Sequence, residues 1–440
     1  MYEKGNYTEL FTGSQFMFDI LQFKEKPLVI FSPEVLVYLG LVLLGYAIPT
    51  SHTNAIESGG LIFVLLGCLG LKLSNRDFKL KDNPLYLPFG LFFAVILLSI
   101  PWSYNLGDSL NAIRGEFLTY TLLFFALSGF CHKREHLYRV MALLCLGNVF
   151  GVLLFAWHFY VVGFNQNQFA GLLAAKQIFN NGPVGASSYF IMFAAVCYAG
   201  LFFLPGKKNF FLISLLLALN LCSLYLSYQR AGIVAIGVVL FMPFVVWRMV
   251  AVKRLYLMLP VLLCLVVLFF LTPIRGKFQT NSWQVILSGD LATLDARDPL
   301  QVRVLIANHF WQPFKKHPFI GYGYGRSNLQ KIDLESVKPR PGGLTHAHNS
   351  VFNFMLQTGV QGLVAFLLLL FMQIKICLKG IKCANNYGER FVFAGGLFLQ
   401  IGFWVRMLFD DVYNSGTALM YWMVMAVIVG LFSILKAEQH

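Results

Sequence analysis

The stretch from Ala418 to Leu435, ALMYWMVMAVIVGLFSIL, runs eighteen residues without a charge. That is the length an α-helix needs to cross the hydrocarbon core of a bilayer. Runs of this kind recur along the 440 residues and centre on roughly 28–48, 59–73, 85–102, 110–130, 137–163, 185–204, 210–228, 231–250, 255–274, 350–373, 391–410 and 416–435. Only a helix or a closed barrel satisfies the backbone in lipid, and runs of this length are helical. Hydrophobic residues make up 58% of the chain and charged ones 12%, about half the charge of a soluble domain. The fold class is therefore an all-α polytopic membrane protein of about twelve transmembrane helices.

The basic residues orient it. Of the 34 Lys and Arg, 20 fall in alternate connections such as KLSNRDFKLK, CHKREH and PGKKN, or at the termini. The positive-inside rule places that side, and both termini, in the cytoplasm. The layout expected is helices 1–9 over 1–274, one large outward (periplasmic) loop over 275–347 between helices 9 and 10, and helices 10–12 over 348–440. The first 27 residues contain no apolar core of a cleavable signal. The net charge of +14 follows from these loops and carries no implication of nucleic-acid binding. The eight cysteines show no metal-ligand spacing and read as small apolar groups. No metal and no cofactor are implied.

With this topology, cations on the outward side stand out, because they oppose the insertion preference. They are Arg230 in the short turn YQRAG, Arg303 in the long loop, and Arg114, Lys176 and Arg406 beside helix ends. Arginine's planar fork suits it to phosphate. Each of these residues also has an ordinary reading as headgroup contact or ion pair, with Glu116 near Arg114 and Asp410 one turn beyond Arg406. The stretch THAHNSVFNFMLQTGVQG puts His346 and His348 where the long loop meets an apolar helix. Steps of four and three from His348 reach Phe352, Met355, Gly359 and Gly362, which predicts one helical face on which the glycines admit a neighbouring helix. Asn349 or Thr345 is placed to cap that helix or to bond an imidazole. The alternative is an interfacial histidine above a packing glycine pair.

Within the long loop, DPLQVRVLIANHFWQPFKKHP predicts an amphipathic helix with Val302, Leu305, Ile306 and His309 or Phe310 on its apolar side. The following FIGYGYGRSN fits no phosphate loop and reads as a flexible aromatic turn, a candidate sugar-stacking or lid element. Asp290, Asp295 and Asp298 lack calcium-loop spacing and read as solvated. In FDDVYNSG, Asp410 or Asp411 is available to orient a histidine or meet a sugar hydroxyl.

His348-Asn349, nine residues, then Gly359-Val360-Gln361-Gly362 resembles the signature of bacterial O-antigen ligases. YQRAG resembles that family's outward arginine after a mid-chain helix, with Gln229 where serine is usual. VRVLIANHFWQPFKKHPFIGYGYG resembles the segment in which a second arginine precedes a Pro-hydrophobic-Gly turn. The resemblance implies a glycosyltransferase that moves O-antigen polysaccharide from undecaprenyl pyrophosphate to lipid A–core at the periplasmic face of the Gram-negative inner membrane. It implies a metal-independent, inverting displacement, with His348, Arg230 and Arg303 catalytic. Arg114, Lys176, His346, Asn349, Arg406 and Asp410 are the candidate substrate-binding residues. The partners are the lipid-linked donor, the lipid A–core acceptor and membrane lipids. The alternatives are an O-antigen polymerase or related lipid-linked oligosaccharide transferase and, at lower weight, a secondary transporter, against which the charges at the outer helix ends argue.

Overall fold

The computed structural model describes residues 32–74, 78–79, 83–246, 256, 263, 301–329, 347–413 and 416–439. The predicted ninth span apart from residues 256 and 263, the long loop over 275–300 with its three aspartates, and residues 330–346 with Thr345 and His346 lie outside these residues.

All regular structure among the described residues is helical. We number the helices α1 (Pro33–Ala47), α2 (Asn54–Leu73), α3 (Tyr86–Ser99, extended by a 3-10 turn to Trp102), α4 (Leu106–Ala112, then a π-helical stretch Ile113–Leu118), α5 (Thr119–Phe130), α6 (Arg134–Val161), α7 (Gln166–Ala174), α8 (Gly182–Phe203), α9 (Lys207–Leu226), α10 (Arg230–Val239), α11 (Met242–Val245), α12 (Gln301–Lys316), α13 (Arg326–Leu329), α14 (Ser350–Cys383), α15 (Tyr387–Met407) and α16 (Gly416–Glu438). Six of them (α2, α6, α8, α9, α14 and α16) are long and apolar enough to cross a membrane, and shorter apolar helices flank them. The chain is a multi-pass membrane protein.

Burial sorts the helices into layers. α8 and α16 are enclosed by protein over most of their lengths, whereas α2 and α9 turn most of theirs outward. α15 lies between α8, α14 and α16 and also receives α10. This inner position makes its polar residues informative, since Glu389, Gln400 and Arg406 are all 0% exposed. At one end Glu389 accepts hydrogen bonds from Arg134 at 2.8 Å and from the Asn385 amide at 2.8 Å. Arg406 marks the other end. Midway, Asn148 of α6 and Asn220 of α9 exchange side-chain hydrogen bonds at 2.9 and 3.0 Å, which satisfies both amides away from water.

The amphipathic helix of the long loop is present as α12. Ile306, Phe310 and Phe314 are buried against Ala347 and Leu356. Its apolar stripe therefore docks on the start of α14 and fixes where the loop's cations sit.

Candidate functional site

The helix α14 begins with a capped turn. Asn349 is the N-cap, and its side-chain oxygen accepts from the Phe352 amide at 2.9 Å, as capping requires. His348 stands just before it with φ +50°. The imidazole is thus outside the helix, held by the turn.

Gly359 does not continue the expected helical face. Its φ of 72° and ψ of −175° belong to a region open essentially to glycine alone, and they break α14 after two turns. The segment Pro318–Tyr322 lies in that break. Val360 N–H donates to Pro318 O at 2.8 Å and Tyr322 N–H to Leu356 O at 2.9 Å. A Cβ on Gly359 would sit 2.1 Å from Phe319 O. The element admitted by the glycine is therefore a loop strapped to the helix by backbone bonds, not a second helix, and the single face from His348 to Gly362 is corrected on both counts.

The same strap corrects the reading of FIGYGYGRSN as a flexible sugar-stacking turn. Tyr322 is 5% and Tyr324 1% exposed, so neither offers a ring face to a ligand. Gly321, Gly323 and Gly325 all have positive φ, and a Cβ on Gly323 would stand 2.5 Å from Ser103 Cα. The glycines let the strand of chain run between α14 and the α3–α4 connection, and the tyrosines fill the space alongside. Asn328, 0% exposed, closes the joint with bonds to Ser103, Asn105 and Ser109.

The second wall of the site is the turn after α15. His348 Nδ1 lies 3.4 Å from Asp410 Oδ1. Asp410 Oδ2 lies 3.6 Å from Arg406 Nη2, and Arg406 Nε donates to Ser187 Oγ of α8 at 3.0 Å. Imidazole, carboxylate and guanidinium thus form a line running inward from the mouth of the helices. A carboxylate on Nδ1 favours the tautomer with its proton there, which leaves Nε2 as the basic nitrogen. Arg406 is fully buried; its Nη2 is paired with Asp410 across 3.6 Å, and Nη1 makes no hydrogen bond to a described residue. A guanidinium with one edge left over suits a further acceptor such as a phosphate oxygen.

The other predicted cations divide into two groups. Arg303, on the first turn of α12, is close enough for its charge to act on Arg406. Arg230 opens α10, where Gly232 comes within 3.4 Å of Ser187 Cβ, measured from an ideal Cβ on the glycine; Ser187 is the residue that holds Arg406. Arg303 therefore belongs to the neighbourhood of the His348 line, whereas for Arg230 the structure places only the start of its helix against α8. Arg114, on the π-helical stretch, and Lys176, between α7 and α8, are both exposed, and no contact among the described residues brings either to His348. Among the described residues, no three His, Cys, Asp or Glu side chains converge as metal ligands would.

Beside the cations, an apolar groove of about 580 Å³ separates α12 from α14. Val304 and Trp311 line one wall and Val351 and Phe352 the other; Asn349, the chain neighbour of His348, and Leu408, two residues before Asp410, also line it.

Residues 212–367 match the family model described as O-antigen ligase. Over those residues the chain is similar to the O-antigen ligase/polymerase superfamily, and the match supports that relation. Superfamily members are glycosyltransferase-like enzymes, ligases and polymerases. The matched O-antigen ligase segment contains Arg230, Arg303 and the run from His348 to Gly362, and it ends before Arg406 and Asp410. No curated protein matches the chain.

Two participants escaped the sequence reading. Ser350 follows the His-Asn pair directly, and its hydroxyl lies 3.0 Å from Asp410 O and 3.1 Å from Asp411 Oδ1. Arg326 was one basic residue among ten in the long loop, yet its Nε is 2.6 Å from Asp411 Oδ2. The only local signal was its place at the end of a glycine run that packs against other backbone.

Proposed function

We propose that this protein is an O-antigen ligase. It transfers polysaccharide from undecaprenyl pyrophosphate to lipid A–core at the periplasmic face of the inner membrane, with both termini cytoplasmic and residues 275–347 as the outward loop. The observation that carries the reading is the line His348–Asp410–Arg406 beside an apolar groove. A base, an anion-binding fork and a lipid-sized trough meet there, and a reaction between two lipid-borne substrates needs all three.

The acceptor hydroxyl oxygen attacks the anomeric carbon of the donor sugar. His348 Nε2 takes its proton, with Nδ1–H facing Asp410. The bond from that carbon to the pyrophosphate oxygen breaks, and the lipid pyrophosphate leaves with the electron pair. Arg230, Arg303 and Arg406 neutralise the charge as it grows on the leaving group. The polyprenyl tail occupies the groove between α12 and α14, and single displacement inverts the anomeric configuration. Asn349 acts by capping the helix that sets His348. His346, Arg114 and Lys176 are assigned to the approach of the glycan or headgroups, further from the reacting atoms.

Lipopolysaccharide gels of a ligase-null strain carrying this gene and its cognate O-antigen cluster test the proposal. Wild type restores the long ladder, whereas Arg230→Ala and His348→Ala do not. A His348→Ala protein, present at wild-type level, that still builds the ladder removes the base role. Absence of the ladder with wild type, together with lengthened chains on undecaprenyl pyrophosphate, replaces the ligase by the polymerase.

A further inference from the structure

We propose that Arg326 is a positioning residue that holds Asp410 against His348 through Asp411. This rests on the reading of His348 as the base.

The link is continuous in the structure. Arg326 Nε lies 2.6 Å from Asp411 Oδ2, and Nη2 reaches the Asp411 carbonyl at 3.4 Å. The guanidinium thereby holds the carboxylate by an ion pair, without hydrogen-bond alignment of Nε, and the carbonyl of the same residue by a hydrogen bond from Nη2. The Asp411 amide donates to Asp410 Oδ1 at 3.0 Å. That oxygen is the one 3.4 Å from His348 Nδ1. On the far side, Ser350 Oγ contacts Asp410 O and Asp411 Oδ1 and accepts from the Val412 amide at 3.2 Å. The turn carrying both aspartates is therefore pinned between α14 and Arg326.

Arg326 is itself anchored on two elements. The Gly325 amide donates to Gln357 Oε1 of α14 at 2.9 Å, and Asn328 bonds Ser109 of α4 at 2.9 Å. The same cation also acts at longer range on Glu116 of the π-helical stretch. It thus offsets negative charge gathered behind the Asp410–His348 contact. Without it, Asp411 is a buried carboxylate lacking its ion-pair partner, and relief comes by swinging the turn outward. A shift of about 1 Å in a reacting group is enough to cost on the order of a hundredfold in rate.

The test uses the full-length protein in nanodiscs with a polyprenyl-pyrophosphate-linked glycan donor and lipid A–core acceptor. Arg326→Gln is expected to lower kcat by about tenfold to a hundredfold with KM for both substrates nearly unchanged, and Arg326→Lys to recover part of the loss. In an Asp410→Asn background, Arg326→Gln adds no further loss, because its effect passes through Asp410. Should Arg326→Gln not fold, Arg326→Lys, which keeps the charge opposite Asp411 but not the two-point contact, is expected to fold and to show a smaller fall in kcat. An unchanged kcat in Arg326→Gln, or in Arg326→Lys where that variant stands in for it, overturns the proposal, as does a loss that multiplies with that of Asp410→Asn. The separate outcome in which His348→Ala turns over at the wild-type rate removes the underlying reading, whatever Arg326 does.

Discussion

Replacing Gly359 with alanine adds one methyl group at a point where two pieces of backbone touch. The native φ of 72° with ψ of −175° costs a non-glycine residue about 1–3 kcal/mol. The new Cβ would stand 2.1 Å from Phe319 O, 2.3 Å from Phe319 C and 2.9 Å from Ile320 N. These are backbone atoms and cannot rotate aside, so the Pro318–Tyr322 strap must retreat by roughly 1 Å to reach ordinary contact. That retreat breaks the bonds from Val360 N–H to Pro318 O and from Tyr322 N–H to Leu356 O, at about 1 kcal/mol each and more if the groups stay dry. The sum is on the order of 3–5 kcal/mol, concentrated on strap docking rather than on the membrane helices. Limited proteolysis of residues 317–329 in nanodiscs should show cleavage rising by two orders of magnitude or more, about the factor such a loss implies when opening is fast. The activity proposed above should fall with it, since the strap leads directly into Arg326. Gly90→Ala in α3 is the control. A Cβ there meets nothing within 4 Å, so protection of the strap is expected to stay at the wild-type level. Equal protection of the strap in wild type and Gly359→Ala would refute the reasoning.

Burial of His309 on the docked face of α12 pushes its pKa below the ordinary histidine value. The docked state therefore holds the neutral ring. Its stabilisation is full above the undocked value, about 6.5, and is lost as pH falls toward the depressed one. Proteolysis of α12 should accelerate between pH 7.5 and pH 5, and His309→Leu should flatten that dependence; a wild-type profile independent of pH would show that this burial does not govern docking. The Asn148–Asn220 pair makes two reciprocal bonds inside the bundle. Asn220→Ala should lower thermal stability by about 1 kcal/mol, while the double change of both residues to leucine costs less than the sum of the single ones. Strictly additive losses in that cycle would mean the two amides act independently.

Much of this protein follows from local pattern. Eighteen uncharged residues such as Ala418–Leu435 leave the backbone no partner but itself in lipid, so α16 was determined before any packing was known. The apolar repeat of α12, the cap at Asn349 and the grouping of Arg230, Arg303 and His348 as candidates were legible for the same reason, since each depends on residues within a turn or two. Tertiary structure decided the rest. A glycine three residues short of a second glycine reads as helix packing. Only the approach of Phe319 from forty residues upstream makes Gly359 a break. The tyrosines of GYGYG read as exposed until α14 and the α3–α4 connection close over them. Between Asp410 and Asp411 the sequence offers no choice, because the two differ only in which way the chain turns after α15. The turn sends one carboxylate to His348 and Arg406, and the other to Arg326 and Ser350. Helix formation is written in neighbours along the chain, but the pairing of charges sixty to two hundred residues apart exists only once the helices have set the distances.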